Sequence, residues 1–73
     1  MREVEIHSEP VELFKILKFE GMVASGGEAK QVIDAGEVRV NGDVETRRRR
    51  QIRSGDTIEF AGETLVIRLQ SPT

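Results

Sequence analysis

The sequence has no cysteine, tryptophan or tyrosine, only two prolines, and a single histidine. Without cysteine there are neither disulfides nor thiolate metal sites. A 73-residue chain, of a size that buries only a little over half of its unfolded surface, must then be held together by aliphatic packing. The three phenylalanines are the sole aromatics, and the expectation is that they serve the core rather than stack on bases. No apolar run approaches the roughly 20 residues that span a bilayer. The N-terminal MREVEIHSEP lacks the apolar stretch of a signal peptide. These absences lead us to expect one soluble, cytoplasmic domain with no membrane association. That domain is expected to take in residues 1 to 73 as a monomer, with residues 70 to 73 a fraying tail. Catalysis also lacks its parts. His7 stands alone, Ser25 reads better as a helix cap than as a nucleophile, and the acidic residues are scattered without metal-ligand spacing. Neither a cofactor nor a metal is expected, and an enzyme is the least supported class.

A net charge of −2 argues, taken whole, against a polyanion binder. Its distribution argues the other way. Residues 39 to 53 hold six arginines against Asp43 and Glu45, a local balance of +4 that leaves −6 for the rest of the chain. Charge segregated in this way creates a directional field.

Residues 2 to 6 alternate charged and apolar side chains, with Val4 and Ile6 on one side of a half-buried strand. Ser8, Glu9 and Pro10 look like a helix start, with Ser8 as cap. A first helix is predicted over residues 11 to 20, its core face built from Leu13, Phe14 and Leu17, ending at Gly21. A second is predicted over residues 26 to 35. Ser25 and Glu28 form a capping box, Gly36 sits where a C-terminal glycine ends a helix, and Ala29, Val32 and Ile33 face the first helix. Gly26 and Gly27 weaken the first turn. They are there either to let another backbone pack closely or to leave N–H groups open to a phosphate oxygen.

Val38, Arg39 and Val40 then lead into an Asn41-Gly42 turn. A two-residue turn would set Asp43 opposite Val40, whereas a three-residue loop would pair Val40 with Val44 and keep both valines inward; the pattern favours the second. Ile52 should pin an otherwise exposed loop. A turn at Ser54, Gly55 and Asp56 precedes two strands, over residues 57 to 60 and 63 to 69, joined at Ala61-Gly62.

The arginines at 47, 48, 49, 50 and 53 are the most unusual feature. Guanidinium forks bind phosphate oxygens bidentately and stack on bases. A run of arginines also suits a solvated loop, a localisation signal or a patch for an acidic protein or lipid.

In order, a helix ending at glycine, then Ser-x-x-Glu-Ala-Lys-x-Val-Ile-x-x-Gly-x-Val-x-Val-Asn-Gly, and later Gly55-Asp56-x-Ile, resembles the S-four-type (alpha-L motif) RNA-binding domain over about residues 11 to 60. In its small stand-alone form it is similar to the YbcJ-like branch. The resemblance implies an α+β fold, two packed helices against a small, mainly antiparallel β-sheet. It also implies a non-enzymatic module gripping structured RNA, ribosomal or transfer RNA, on its own or within a ribosome or other ribonucleoprotein. By position, Lys30 stands at the family's basic site on the second helix, and Arg39 lies in its strand-turn segment. Gly26 occupies the place where the family often has arginine. The expected RNA-binding face is Lys18, Lys30, Arg39, Arg47, Arg48, Arg49, Arg50 and Arg53, on a frame set by Ser25, Glu28, Gly36, Asn41, Gly42, Gly55 and Asp56. The rival reading is an adaptor that docks an acidic protein on the arginine loop.

Overall fold

The computed structural model describes residues 1 to 70, so most of the expected frayed tail, residues 71 to 73, lies outside the described residues. The elements in chain order are β1 (Arg2–Ile6), β2 (Val11–Glu12), α1 (Leu13–Phe19), α2 (Gly26–Asp34), β3 (Arg39–Val40), β4 (Asp43–Val44), β5 (Gln51–Ile52), β6 (Thr57–Phe60) and β7 (Glu63–Leu69). Five strands form one sheet in the order β1-β7-β6-β3-β4, and β2 and β5 make a separate two-stranded ladder. β1 runs parallel to β7, and every other pairing is antiparallel. This is the α+β architecture expected from the sequence.

Strand alternation puts Val4, Ile6, Val40, Ile58, Leu65 and Ile67 on one face of the large sheet. There they share a core with Leu13, Ile16 and Leu17 of α1 and Ala29 and Ile33 of α2. The other face carries Glu3, Glu5, Arg39, Glu59 and Arg68, as suits a mainly antiparallel sheet solvated on one side. Both helices end in the same way. Past α1, the amides of Gly21 and Met22 donate to the carbonyls of Lys18 and Leu17; past α2, those of Gly36 and Glu37 donate to Ile33 and Val32. These are Schellman closures, and they require the positive φ found at Gly21 (70°) and Gly36 (77°).

Three expectations are corrected. The first helix does not begin after Ser8. Val11 and Glu12 are extended and pair with Ile52 and Gln51, and the helix starts at Leu13 without a side-chain cap. Its first two amides find acceptors in the arginine loop instead, Leu13 N–H on the Arg50 carbonyl (2.9 Å) and Phe14 N–H on that of Arg48 (3.2 Å). Glu9, expected at the helix start, instead accepts the Ser54 amide at 2.8 Å. Second, the core face of α1 includes the buried Ile16, while no phenylalanine is buried to that degree. Phe14 and Phe60 are half-buried and Phe19 is 69% exposed.

The third correction is the turn at Asn41-Gly42. It is a two-residue turn with φ 52° and 88°, pairing Val40 with Asp43 and Arg39 with Val44. Asn41 is held in its left-handed conformation by its own side chain, which donates to Asp56 (3.0 Å) and accepts from the Thr57 amide (3.0 Å). β4 is the outermost strand, so Asp43 reaches water and Val44 faces the open side, 54% exposed. The ladder continues one step, with the Glu45 amide donating to the Val38 carbonyl at 2.9 Å. A one-residue difference in register exchanges the faces. Here it turns Glu45 inward.

Candidate nucleic-acid interface

Residues 45 to 53 are shaped from within by a carboxylate. Glu45 is the sole charged residue among the buried ones described, at 7% exposure. Its Oε2 accepts the backbone N–H (3.1 Å) and Nε–H (2.9 Å) of Arg47; its Oε1 accepts Arg47 Nη2 (3.1 Å) and Arg50 Nη1 (2.6 Å). The Arg47 fork is thus bidentate, the strongest geometry for this pair. The side-chain hydrogen bonds from Arg47 hold the carboxyl at about 2 instead of the usual 4.5, outweighing the burial that opposes ionisation, and the Arg47 backbone N–H and Arg50 add to them. The Arg50 amide donates to the Arg47 carbonyl at 3.2 Å and closes the turn between them.

That turn leaves Arg48 and Arg49 at its crest. Arg48 Nη2 reaches Asp34 of α2 at 3.2 Å, and Arg49 Nε lies 3.7 Å from Glu12; the arginine side chains are 46% and 82% exposed. Surface pairs this open contribute little to stability. Together with Arg47, Arg50 and Arg53 they line one open concavity, which Thr46, Gln51 and Asp34 also border. Arg53 is placed by its amide, which donates to Asp56 at 2.9 Å, and the adjoining Gly55 turns with φ 95°.

Two lysines extend this surface. Lys30 Nζ lies 5.2 Å from the centroid of the Phe14 ring and Lys15 Nζ 5.9 Å from it. Lys15 also pairs with Glu12 (3.1 Å), the carboxylate that approaches Arg49. Lys15, which the sequence leaves open as either a solvated lysine or an outer part of the basic surface, and Phe14 thus join the expected RNA-binding face. The adjacency of an aromatic and a lysine is legible in the sequence, but the helix spacing puts Phe14 on the core face and gives no sign that its ring is only half-buried.

Two expected members lie apart. Lys18 is exposed three residues further along α1, and among the described residues no ion pair joins it to the loop. Arg39 projects on the open face of the sheet, opposite Glu59 and Val44, and lines a separate hollow with Glu37, Glu59 and Glu63. The frame residues sit at the joints. Ser25 Oγ accepts the Glu28 amide at 3.1 Å, and the Glu28 side chain reaches back to the Ala24 amide at 3.4 Å. At Gly26 a Cβ would meet nothing within 4 Å, and at Gly27 only Ser25 Oγ at 3.8 Å. Close backbone packing therefore does not account for this glycine pair. Among the described residues no cluster of His, Asp or Glu could hold a metal ion, and no helix is long and apolar enough to cross a membrane.

A helix pair on a small sheet, with a basic loop folded against the start of the first helix, defines an S4-type domain. The chain belongs to the S4 domain family, whose model matches residues 4–68. It is similar to YbcJ of Escherichia coli (strain K12), 47% identical over 57 residues, covering 78% of this chain and 81% of that protein. The solution structure of E. coli YbcJ, which shows an alpha-L motif involved in RNA-binding, superposes with a TM-score of 0.71 at 42% identity, covering 93% of this chain and 87% of that one. The Probable ribosome maturation protein RlbA of Bacillus subtilis (strain 168) is 36% identical over 59 residues, 81% of this chain and 83% of that protein. The tyrosine–tRNA ligase of Bordetella pertussis is 34% identical over 70 residues, which are 96% of this chain but only 17% of the ligase.

Proposed function

We propose that the chain is a non-enzymatic RNA-binding module acting on structured RNA of the ribosomal or transfer class. The observation that carries this reading is the open concavity lined by five arginines, set on a frame that fixes their backbone. Membership of the S4 family and the likeness to the YbcJ structure support it. Arg48, Arg49 and Arg53 meet phosphates at the centre, with Lys30 and Lys15 on the helix side. Arg47 and Arg50 contribute what their contacts with Glu45 leave free, and Lys18 and Arg39 are peripheral. Asp34 and Glu12 hold Arg48 and Arg49 in the free protein, and phosphate oxygens replace them in the complex. Recognition is of backbone shape more than base sequence.

Fluorescence anisotropy of a labelled ribosomal RNA hairpin tests this. Neutralising about four phosphates gives a log–log salt slope of about −3 to −4. Changing Arg48 and Arg49 together to alanine should weaken binding at least tenfold and flatten the slope by one to two. A folded wild-type protein that binds no structured RNA, but is retained by an acidic peptide through the same arginines, would replace this reading with the adaptor.

A further inference from the structure

We propose that Glu45 is a positioning residue for RNA binding, a buried carboxylate that sorts the arginines of the loop into two that shape it and others that meet phosphate. The inference deepens the RNA-binding reading and depends on it for its affinity arm alone.

The first ground is register. The two-residue turn at Asn41-Gly42 sends Val44 to the open face and Glu45 to the core side, against the hydrophobic pattern. A sequence that placed a valine outside and a glutamate inside has kept a local conflict that packing alone would remove, and such conflicts gather at functional sites. The second is geometry. One carboxylate receives four hydrogen bonds, three from Arg47 and one from Arg50, at the two ends of the four-arginine run. With both ends tied to one point, the middle pair is presented outward. The third is propagation. The carbonyls of Arg48 and Arg50 accept the first amides of α1, so the loop shape set by Glu45 is also the seat of the helix bearing Phe14 and Lys15.

Charge alone predicts the opposite of positioning. A carboxylate beneath an arginine cluster subtracts from the field that attracts phosphate, so its neutralisation would tighten binding. If Glu45 orders the cluster, neutralising it frees two long side chains and the turn between them, and ordering them again on the RNA costs affinity. The two accounts differ in sign.

The experiment compares wild type, Glu45→Gln and Asp43→Asn on the same labelled RNA hairpin across salt concentrations. Asp43 is exposed two residues away, so its variant makes the same charge change without touching the loop. Asp43→Asn should bind as well as wild type or a few-fold tighter. Glu45→Gln should bind about tenfold more weakly, a size expected for two side chains that must be ordered on binding. Glu45→Gln binding as tightly as Asp43→Asn would overturn the proposal. A second arm uses the wild-type protein by nitrogen-15 NMR, in case the variant does not fold. The Arg47 Nε–H should exchange more slowly with solvent than those of Arg48, Arg49 and Arg53, and should move less when the hairpin is added. Equal exchange at all four overturns the positioning role whatever the RNA does. Protection at Arg47 in a protein that binds no RNA retains the clamp and rejects the RNA reading.

Discussion

Glu45 also makes a contribution to folding that can be separated by pH. Replacing it with glutamine preserves side-chain shape but removes the charge that Arg47 and Arg50 surround. Because the folded carboxyl is held at about 2, below its usual 4.5, the ionised form is favoured by the fold, and a displacement of that size corresponds to about 3 kcal/mol. The partners are partly wet, with the Arg47 side chain 71% exposed and Arg50 32%. Solvent screening therefore reduces the expected difference to about 1–2 kcal/mol. The sign follows from the lowered value. The stabilisation is fully present above the unfolded value near 4.5 and is lost as pH falls through the folded value near 2. Every other carboxylate is common to both proteins, so the difference between them isolates Glu45. With no tryptophan or tyrosine to report by fluorescence, urea unfolding is followed by far-UV circular dichroism. At pH 7 the variant should be less stable by about 1–2 kcal/mol, or about 5–15 °C in Tm. By pH 3 the gap should have fallen to about half or less. A gap unchanged between pH 7 and pH 3 would refute the reasoning, as would none at pH 7.

Three further outcomes are expected. Ala61 sits at φ 53° in the turn between β6 and β7, where asparagine is favoured, so Ala61→Asn should stabilise by about 0.5–1 kcal/mol in the same unfolding assay. Leu17 is fully enclosed in the helix pair; Leu17→Ala should cost about 2–5 kcal/mol, a large share of the stability of a domain this small. Gly27 has room for a side chain, so Gly27→Ala should stabilise the start of α2 by about 0.5–1 kcal/mol. A loss of RNA affinity in that stabilised variant would show that the glycine serves the ligand, and unchanged affinity that it does not.

Elements whose signals are local can be read from the chain without a fold. The capping box at Ser25 and Glu28, the glycines closing both helices and the alternation in β1, β6 and β7 each express a preference of a few neighbouring residues, so they were legible without a fold. The same holds for the arginine run and for Ile52 as its tether, since charge and apolar isolation are visible in one dimension. The remaining features depend on contacts between residues distant in sequence. Val11 and Glu12 form a strand because a partner strand far along the chain, Gln51 and Ile52, is there to pair with them. α1 starts without a side-chain cap because distant carbonyls serve as its acceptors. The turn at Asn41-Gly42 took the register that hydrophobic alternation disfavours, because Asn41 finds partners in Asp56 and Thr57 and because an inward Glu45 finds two arginines. Burial of a charge is favourable only when its partners are already in place, and that depends on long-range geometry. The separation of Arg39 from the loop arginines has the same origin. Both lie in one basic stretch of sequence, but the alternation of side chains along a strand sends Arg39 to the open face of the sheet.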